Sequence, residues 1–175
     1  MNVGDMDIGV RAARRDDLPQ LTEIYNHYVL TTPVTFDVEA YTVERRVPWF
    51  EQFATTGRYR LVVATNGPVI VGYASTTRFR LKPAYETTVE STVYCAPGHG
   101  GQGIGALLYG ALFDALAGED VHRIVAGYVL PNPASARLHE RFGFTPVGVF
   151  TANGRKFGRY WDVAWVERNA RATKS

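Results

Sequence analysis

The sequence predicts an α/β domain built on a mixed sheet, and three observations carry that expectation. Its 175 residues, 46% hydrophobic and 21% charged, are enough for one domain with a full core. A hairpin signal, Asn66-Gly67, sits between two apolar runs in the first half. Strand and helix patterns then alternate, as they do in crossover units. No repeat, low-complexity tract or linker-like shift divides the chain, so residues 1–175 are expected as a single domain with its core at about 8–167.

Taken in order, Ile8-Arg11 reads as a short strand. Asp16-Asp17 then offers caps and negative charge to a helix carrying Leu18, Leu21, Ile24 and Tyr28 at helical spacing. Val43, Val47, Phe50 and Ala54 mark a second helix, and Pro48 inside it predicts a kink or a delayed start. Tyr59–Ala64 and Val69–Ala74 form the hairpin strands. Thr87–Cys95 alternates strictly: Val89, Ser91, Val93 and Cys95 face one way, and Thr88, Glu90, Thr92 and Tyr94 the other. A glycine-dense turn leads into a helix with Ile104, Leu107, Leu108, Ala111, Leu112 and Ala115 on one stripe. Val121–Val129 is the next strand. Asn132 caps and Pro133 opens the following helix, which Gly143 ends. Strands near Val147-Phe150 and Tyr160-Val166 close the pattern, and Ala170–Ser175 reads as a frayed end.

Composition excludes several function classes. Lys and Arg number 19 against 17 Asp and Glu, a net charge of +2, so no nucleic-acid partner is expected. The single cysteine, Cys95, rules out an internal disulfide framework and a zinc site of several thiolates, and no metal is expected. Met1-Asn2-Val3-Gly4-Asp5 opens no secretory signal, and no apolar run approaches the ~18 residues of a membrane helix. The expectation is a cytoplasmic protein in a reducing compartment.

Gly98-His99-Gly100-Gly101-Gln102-Gly103-Ile104-Gly105 lies between a strand and an amphipathic helix. Glycines let backbone approach a ligand closely, and a helix start presents free N–H groups that suit phosphate. A tight packing turn is the plainer alternative. Gly98, Gly100 and Gly103 satisfy G-x-G-x-x-G, and Gly101, Gly103 and Ala106 its alanine variant. A dinucleotide is disfavoured, because the next strand ends Gly127-Tyr128-Val129-Leu130 without an acid for a ribose. No Gly-Lys-Ser or Gly-Lys-Thr follows, so a P-loop fails.

Thr88-Val89-Glu90-Ser91-Thr92-Val93-Tyr94, the turn Gly100–Gly105, and Asn132-Pro133-Ala134-Ser135-Ala136-Arg137-Leu138-His139-Glu140 with Gly143-Phe144 together resemble the GNAT-type N-acetyltransferases. The likeness is to their phosphinothricin and methionine sulfoximine acetyltransferase-like branch. Tyr25-Asn26-His27-Tyr28 and Lys156-Phe157-Gly158-Arg159-Tyr160-Trp161-Asp162-Val163 extend it over roughly Ile8–Glu167. The resemblance implies a mostly antiparallel sheet flanked by helices, acetyl-CoA as cofactor and a small-molecule amine as substrate. It also implies a homodimer. The family's phosphate loop runs Q/R-x-x-G-x-G/A; Gly103 and Gly105 match, while Gly100 stands where Gln or Arg is usual. Pyrophosphate is implied at Gly101, Gln102, Gly103, Ile104 and Gly105, and the pantetheine arm along Val93 and Tyr94. Asn132 and Ser135 are implied as further cofactor contacts, although Asn132 serves equally as a helix cap.

Acetyl transfer needs a deprotonated amine, while an α-amine is largely ammonium at neutral pH, so a general base is required. The resemblance gives that role to Glu90, an acid in a strand otherwise of Thr, Val, Ser and Tyr, and makes His139 its assistant as relay or substrate orienter. A solvated carboxylate and a packed histidine are the bland alternatives. Tyr94 and Tyr109 are both conceivable proton donors to the departing thiolate, and a backbone N–H near Val93 or Tyr94 is expected to face the developing oxyanion. Cys95 reads as a small buried hydrophobe. Arg80 is implied to engage a substrate carboxylate, with Phe36, Phe79 and Tyr85 around the pocket and Lys156 touching substrate or a second subunit. The expected activity is acetyl-CoA-dependent acetylation of the α-amine of a small amino acid. The alternatives are a protein N-terminus or other amine as acceptor, or a CoA-binding module without turnover.

Overall fold

The hydrophobic pattern of the central strands already demands cover on both sides, and the computed structural model, which describes residues 8–171, supplies it with helices. The elements run β1 (Ile8–Ala12), α1 (Leu18–Thr31), α2 (Val43–Phe50), β2 (Leu61–Asn66), β3 (Val69–Arg78), β4 (Thr88–Cys95), α3 (Ile104–Ala115), β5 (Arg123–Val129), α4 (Pro133–Arg141), β6 (Thr145–Lys156) and β7 (Arg159–Asn169). They build one seven-stranded sheet in the order β1-β2-β3-β4-β5-β7-β6. Only β4 and β5 pair in parallel; every other neighbouring pair is antiparallel. The mixed α/β expectation therefore holds.

Alternation sends Val62 and Ala64 of β2 into the core under α3, and Leu61 and Val63 into the core under α1 and α2. On α3, Ile104, Leu108 and Leu112 are fully buried at helical spacing. Each such side chain contributes roughly 1.5–3 kcal/mol by leaving water. A bulge keeps β3 in phase with both neighbours. Ala64 pairs with Gly72 and Thr65 with Ile70, so Val71 is the extra residue. Gly72 is required there, because a Cβ would lie 2.8 Å from the Tyr94 carbonyl oxygen. Beyond the bulge Tyr73, Ser75 and Thr77 share a face with Glu90, Thr92 and Tyr94, with Thr77 directly opposite Glu90.

Three local expectations change. The hairpin turn is Gly67-Pro68, with Gly67 at φ +58°, and Asn66 instead pairs with Val69 as the closing rung. Asp17 does not cap α1 with its side chain; its carboxylate accepts the Arg14 N–H at 2.6 Å, capping the 3₁₀ turn before α1 instead, and pairs with Arg11 at 2.7 Å. Pro48 does not delay α2. Thr42 Oγ1 accepts the Arg45 N–H at 3.3 Å to start the helix, and α2 ends after eight residues. Ala170 is still tied down, donating its N–H to the His122 carbonyl at 3.1 Å. The rest of the expected fraying, 172–175, lies outside the described residues, as does the Met1–Asp5 segment. Among the described residues no helix is long and apolar enough to cross a membrane.

Candidate active site

The parallel β4–β5 pairing lasts only from Thr88 to Glu90 against Arg123 to Val125. Beyond it the strands part, and the β5-facing edge of residues 91–95 is left without a ladder partner. Unpaired backbone here invites an extended, amide-bearing ligand as a surrogate strand. A cleft of about 510 Å³ opens along this wedge, lined by Val93, Tyr94, Gly101, Gly103, Asn132 and Ser135, among others. Gly101 (φ +77°) and Gly103 (φ +82°) bend the loop, and Gly103 is the N-cap of α3. The Gly103 carbonyl takes the Ala106 and Leu107 N–H groups, and the Gly105 N–H faces the Cys95 sulfur. The positive dipole end of α3 and the backbone of the glycine loop before it border the cleft, a fit for pyrophosphate. The donor set and the open strand edge together fit the acetyl-CoA expected from the sequence.

Of the nine residues expected against that cofactor, seven line the cleft. Ile104 is 1% exposed, its side chain in the α3 core, so only its backbone is left to serve. Gln102 turns back to donate from Nε2 to the Gly98 carbonyl at 3.1 Å and braces the loop. Asn132 keeps its capping role, its Oδ1 accepting the Ser135 N–H at 3.0 Å, while still lining the cleft. Sequence reasoning missed Arg137 and Arg141, two cations on the same wall. Their i, i+4 spacing on a helix next to the glycine loop was the available signal.

Glu90 sits on the opposite face of β4 from the helix α3 core and itself lines neither of the two cavities that its strand partners border. Its cross-strand partner Thr77 lines a chamber of about 400 Å³ under α2, and its other partner Val125 lines a cavity of about 490 Å³ toward β6 and β7. Burial pushes the Glu90 carboxyl above its ordinary range, and the Arg80 charge opposes that shift. A carboxylate of raised basicity is a better proton acceptor near neutral pH. Phe79, Arg80 and Tyr85 come together in the β6–β7 cavity with Trp165 and Phe150. Arg80 stacks on Phe79, its guanidinium carbon 4.9 Å from the ring centre.

Three expected residues stand elsewhere. Phe36 lines neither cavity; its ring lies against Gly154 of β6, where no Cβ could fit. Lys156 is 4% exposed and donates from Nζ to the Thr35 carbonyl at 2.8 Å, stapling the segment after α1 to the end of β6. It is thereby withdrawn from both substrate and surface. His139 is not brought together with Glu90, because it occupies the face of β4 that Ser91 points into. Its Nδ1–H donates to the Ser135 carbonyl at 2.7 Å, leaving Nε2 to accept the Tyr109 hydroxyl at 3.0 Å. Tyr109 Oη lies 3.4 Å from Ser91 Oγ, so this row of polar groups ends one residue from Glu90. Burial holds the His139 imidazole below its usual value, hence neutral. The two tyrosines part as well: Tyr94 borders both the cleft and the α2 chamber, whereas Tyr109 is wholly buried.

Comparison with known proteins agrees with this arrangement. The sequence matches the Acetyltransferase (GNAT) family over residues 21–144. It is 58% identical over 167 residues to a phosphinothricin N-acetyltransferase of Streptomyces coelicolor, covering 94% of this chain and 98% of that protein. It is 35% identical over 158 residues to an L-methionine sulfoximine/L-methionine sulfone acetyltransferase of Salmonella typhimurium, covering 90% of this chain and 92% of that one. The fold superposes with a TM-score of 0.86 on a phosphinothricin acetyltransferase from Sinorhizobium meliloti solved with acetyl-CoA, 31% identical, covering 94% of this chain and 89% of that one. The wedge between β4 and β5, the glycine-capped helix beside it and these matches lead to one assignment: the chain belongs to the GNAT acetyltransferase family.

Proposed function

We propose that the protein transfers acetyl from acetyl-CoA to the α-amine of a small amino acid of the phosphinothricin or methionine sulfoximine type. The observation that carries this reading is Glu90, a carboxylate of raised basicity at the end of the β4–β5 wedge whose strand partners border two substrate-sized cavities. Bound acetyl-CoA supplies the acetyl group as a thioester and departs as a thiol. Gly101, Gly103 and the first turn of α3 hold its pyrophosphate, and Arg137 and Arg141 add positive charge beside it. The open edge of residues 91–95 carries the pantetheine amides, and a backbone N–H near Val93 or Tyr94 faces the developing oxyanion.

Glu90 accepts the proton that the substrate ammonium must lose, directly or through one water. Arg80 receives the α-carboxylate, its planar fork matching two oxygens, and Phe79 and Tyr85 wall the same cavity. His139 with Tyr109 forms a neutral, hydrogen-bonded pair on the face of β4 opposite Glu90. The protein works as a homodimer through β6, and a reducing, cytoplasmic setting suits its one free thiol.

The test is release of free CoA thiol from acetyl-CoA across a panel of amino acids, peptides and other amines. Phosphinothricin, methionine sulfoximine and methionine sulfone are expected to drive release. Release only with peptides moves the acceptor to a protein N-terminus, and tight acetyl-CoA binding without release would make the protein a binding module.

A further inference from the structure

Arg46 has no part in the chemistry above, yet it is a buried charge beside that chemistry. It lies in α2, is 4% exposed, and belongs to none of the ion pairs among the described residues. Its Nε and Nη2 donors are buried without a hydrogen-bond partner. The guanidinium is held between rings, its central carbon 3.8 Å from the Trp49 ring centre and 4.3 Å from that of Tyr25. Those faces stabilise a cation but accept no N–H bonds, and the Tyr73 hydroxyl that the guanidinium also meets leaves Nε and Nη2 unsatisfied. A buried guanidinium with two orphan donors is strongly disfavoured unless an acceptor arrives.

The cavity that Arg46 lines tells what that acceptor is. It is the chamber of about 400 Å³ under α2, which Arg78 also borders. Its sheet floor carries Ser75, Thr77 and Thr92, with Ser75 Oγ 3.0 Å from Thr92 Oγ1. One carboxylate, Asp37, is on the wall, and it already accepts the Tyr25 hydroxyl at 2.6 Å. Arginines outnumber it, so the chamber favours an anion with several oxygens. Thr77 of this floor faces Glu90 across the β3–β4 ladder, so the chamber opens beside the proposed base.

We propose that Arg46 anchors a second substrate subsite, one that takes the anionic, oxygen-rich head of the amino-acid side chain. The inference rests on the amino-acid acetylation proposed above and sharpens it. The substrate spans β3 and β4: its α-carboxylate meets Arg80 on one side of Glu90, and its side-chain head enters the α2 chamber on the other. Arg46 then selects anionic heads, such as a phosphinate, over neutral ones of similar length, such as a sulfone. Desolvated and pre-stacked, the guanidinium is already fixed in place at the chamber wall, so an anion meets its charge at little entropic cost.

The experiment is steady-state kinetics of wild type, Arg46→Met and Arg46→Lys with L-phosphinothricin and with L-methionine sulfone, alongside thermal unfolding. In Arg46→Met the kcat/KM ratio of phosphinothricin to sulfone is expected to fall by about tenfold or more through KM, since a charge-assisted contact is lost. Arg46→Lys keeps a cation but not the guanidinium, so its ratio falls less, and it reads the effect even where Arg46→Met does not fold. An equal loss for both substrates, or an unchanged ratio in Arg46→Lys, overturns the subsite and leaves the amino-acid reading standing. Wild type that acetylates neither compound overturns both.

Discussion

At the residue scale, the chemistry depends on one carboxyl group kept in an unfavourable place. Burial raises the Glu90 pKa, so the folded protein holds that proton more tightly than the unfolded chain does. The stability this contributes is full below the ordinary carboxylate range and is lost as pH rises through the raised value. Ionised Glu90 at neutral pH is therefore a stability cost accepted for basicity. Glu90→Gln should lower kcat by about 10² or more, as loss of a general base does, with acetyl-CoA binding near wild type. The same variant should melt at a higher temperature than wild type at neutral pH, with the gap closing in acid below pH about 4. A pH series of calorimetry scans beside kcat profiles checks both. Unchanged turnover across neutral pH would remove Glu90 as the base, and a lower melting temperature at neutral pH would contradict the burial argument. His139 illustrates the opposite economy: both ring nitrogens are satisfied inside the core, so its neutral form suits the fold as well as the chemistry.

At the scale of elements, strong local patterns were legible in the sequence, whereas groups defined by tertiary packing were not. The alternation of Thr88–Cys95 and the Asn132-Pro133 helix start rest on local periodicity and capping, and the structure keeps them; of the α3 stripe it buries Ile104, Leu108 and Leu112 but leaves Leu107 42% exposed, with Tyr109 and Phe113 buried instead. The glycine loop was visible because glycine has few other reasons to cluster. Arg46 escaped because Arg45-Arg46 reads as the polar face of α2, and only the packing of Trp49 and Tyr25 turns it inward. Lys156 departs from expectation for the mirror reason: a lysine in a late motif suggests surface, yet backbone carbonyls of a distant segment claim it. Gly100 offers a test at this scale. Its φ is not in the left-handed region and no atom lies within 4 Å of where a Cβ would stand, so a side chain fits without strain. Gly100→Arg should restore the contact that the family's Gln or Arg makes and lower the acetyl-CoA KM by about threefold, as an exposed ion pair does. Equilibrium binding at low and high salt checks it, and a gain that salt does not weaken would point away from the pyrophosphate.

At the scale of the whole molecule, the sheet ends unevenly, and that asymmetry argues for a second copy. At one end β1 is five residues long; at the other β6 runs for twelve, paired only with β7. Val147 (61% exposed), Val149 (53%) and Phe150 (53%) stand on that outer strand. A long apolar edge left open templates unwanted strand pairing, so it is ordinarily covered. A symmetric dimer covers it with the same surface from its twin. The same three residues wall the cavity that holds Arg80, so closing the edge also completes one side of the substrate site. Wild type is expected to sediment as a dimer at micromolar concentration. Val149→Lys, which places a charge on the edge, should shift it to monomer and raise the amino-acid KM more than that of acetyl-CoA, whose cleft in the β4–β5 wedge has no lining residue on β6. Sedimentation velocity and kinetics on the same samples read both effects. A wild type that stays monomeric at tens of micromolar overturns the dimer, and a monomeric variant with equal changes in both KM values would uncouple that edge from the site.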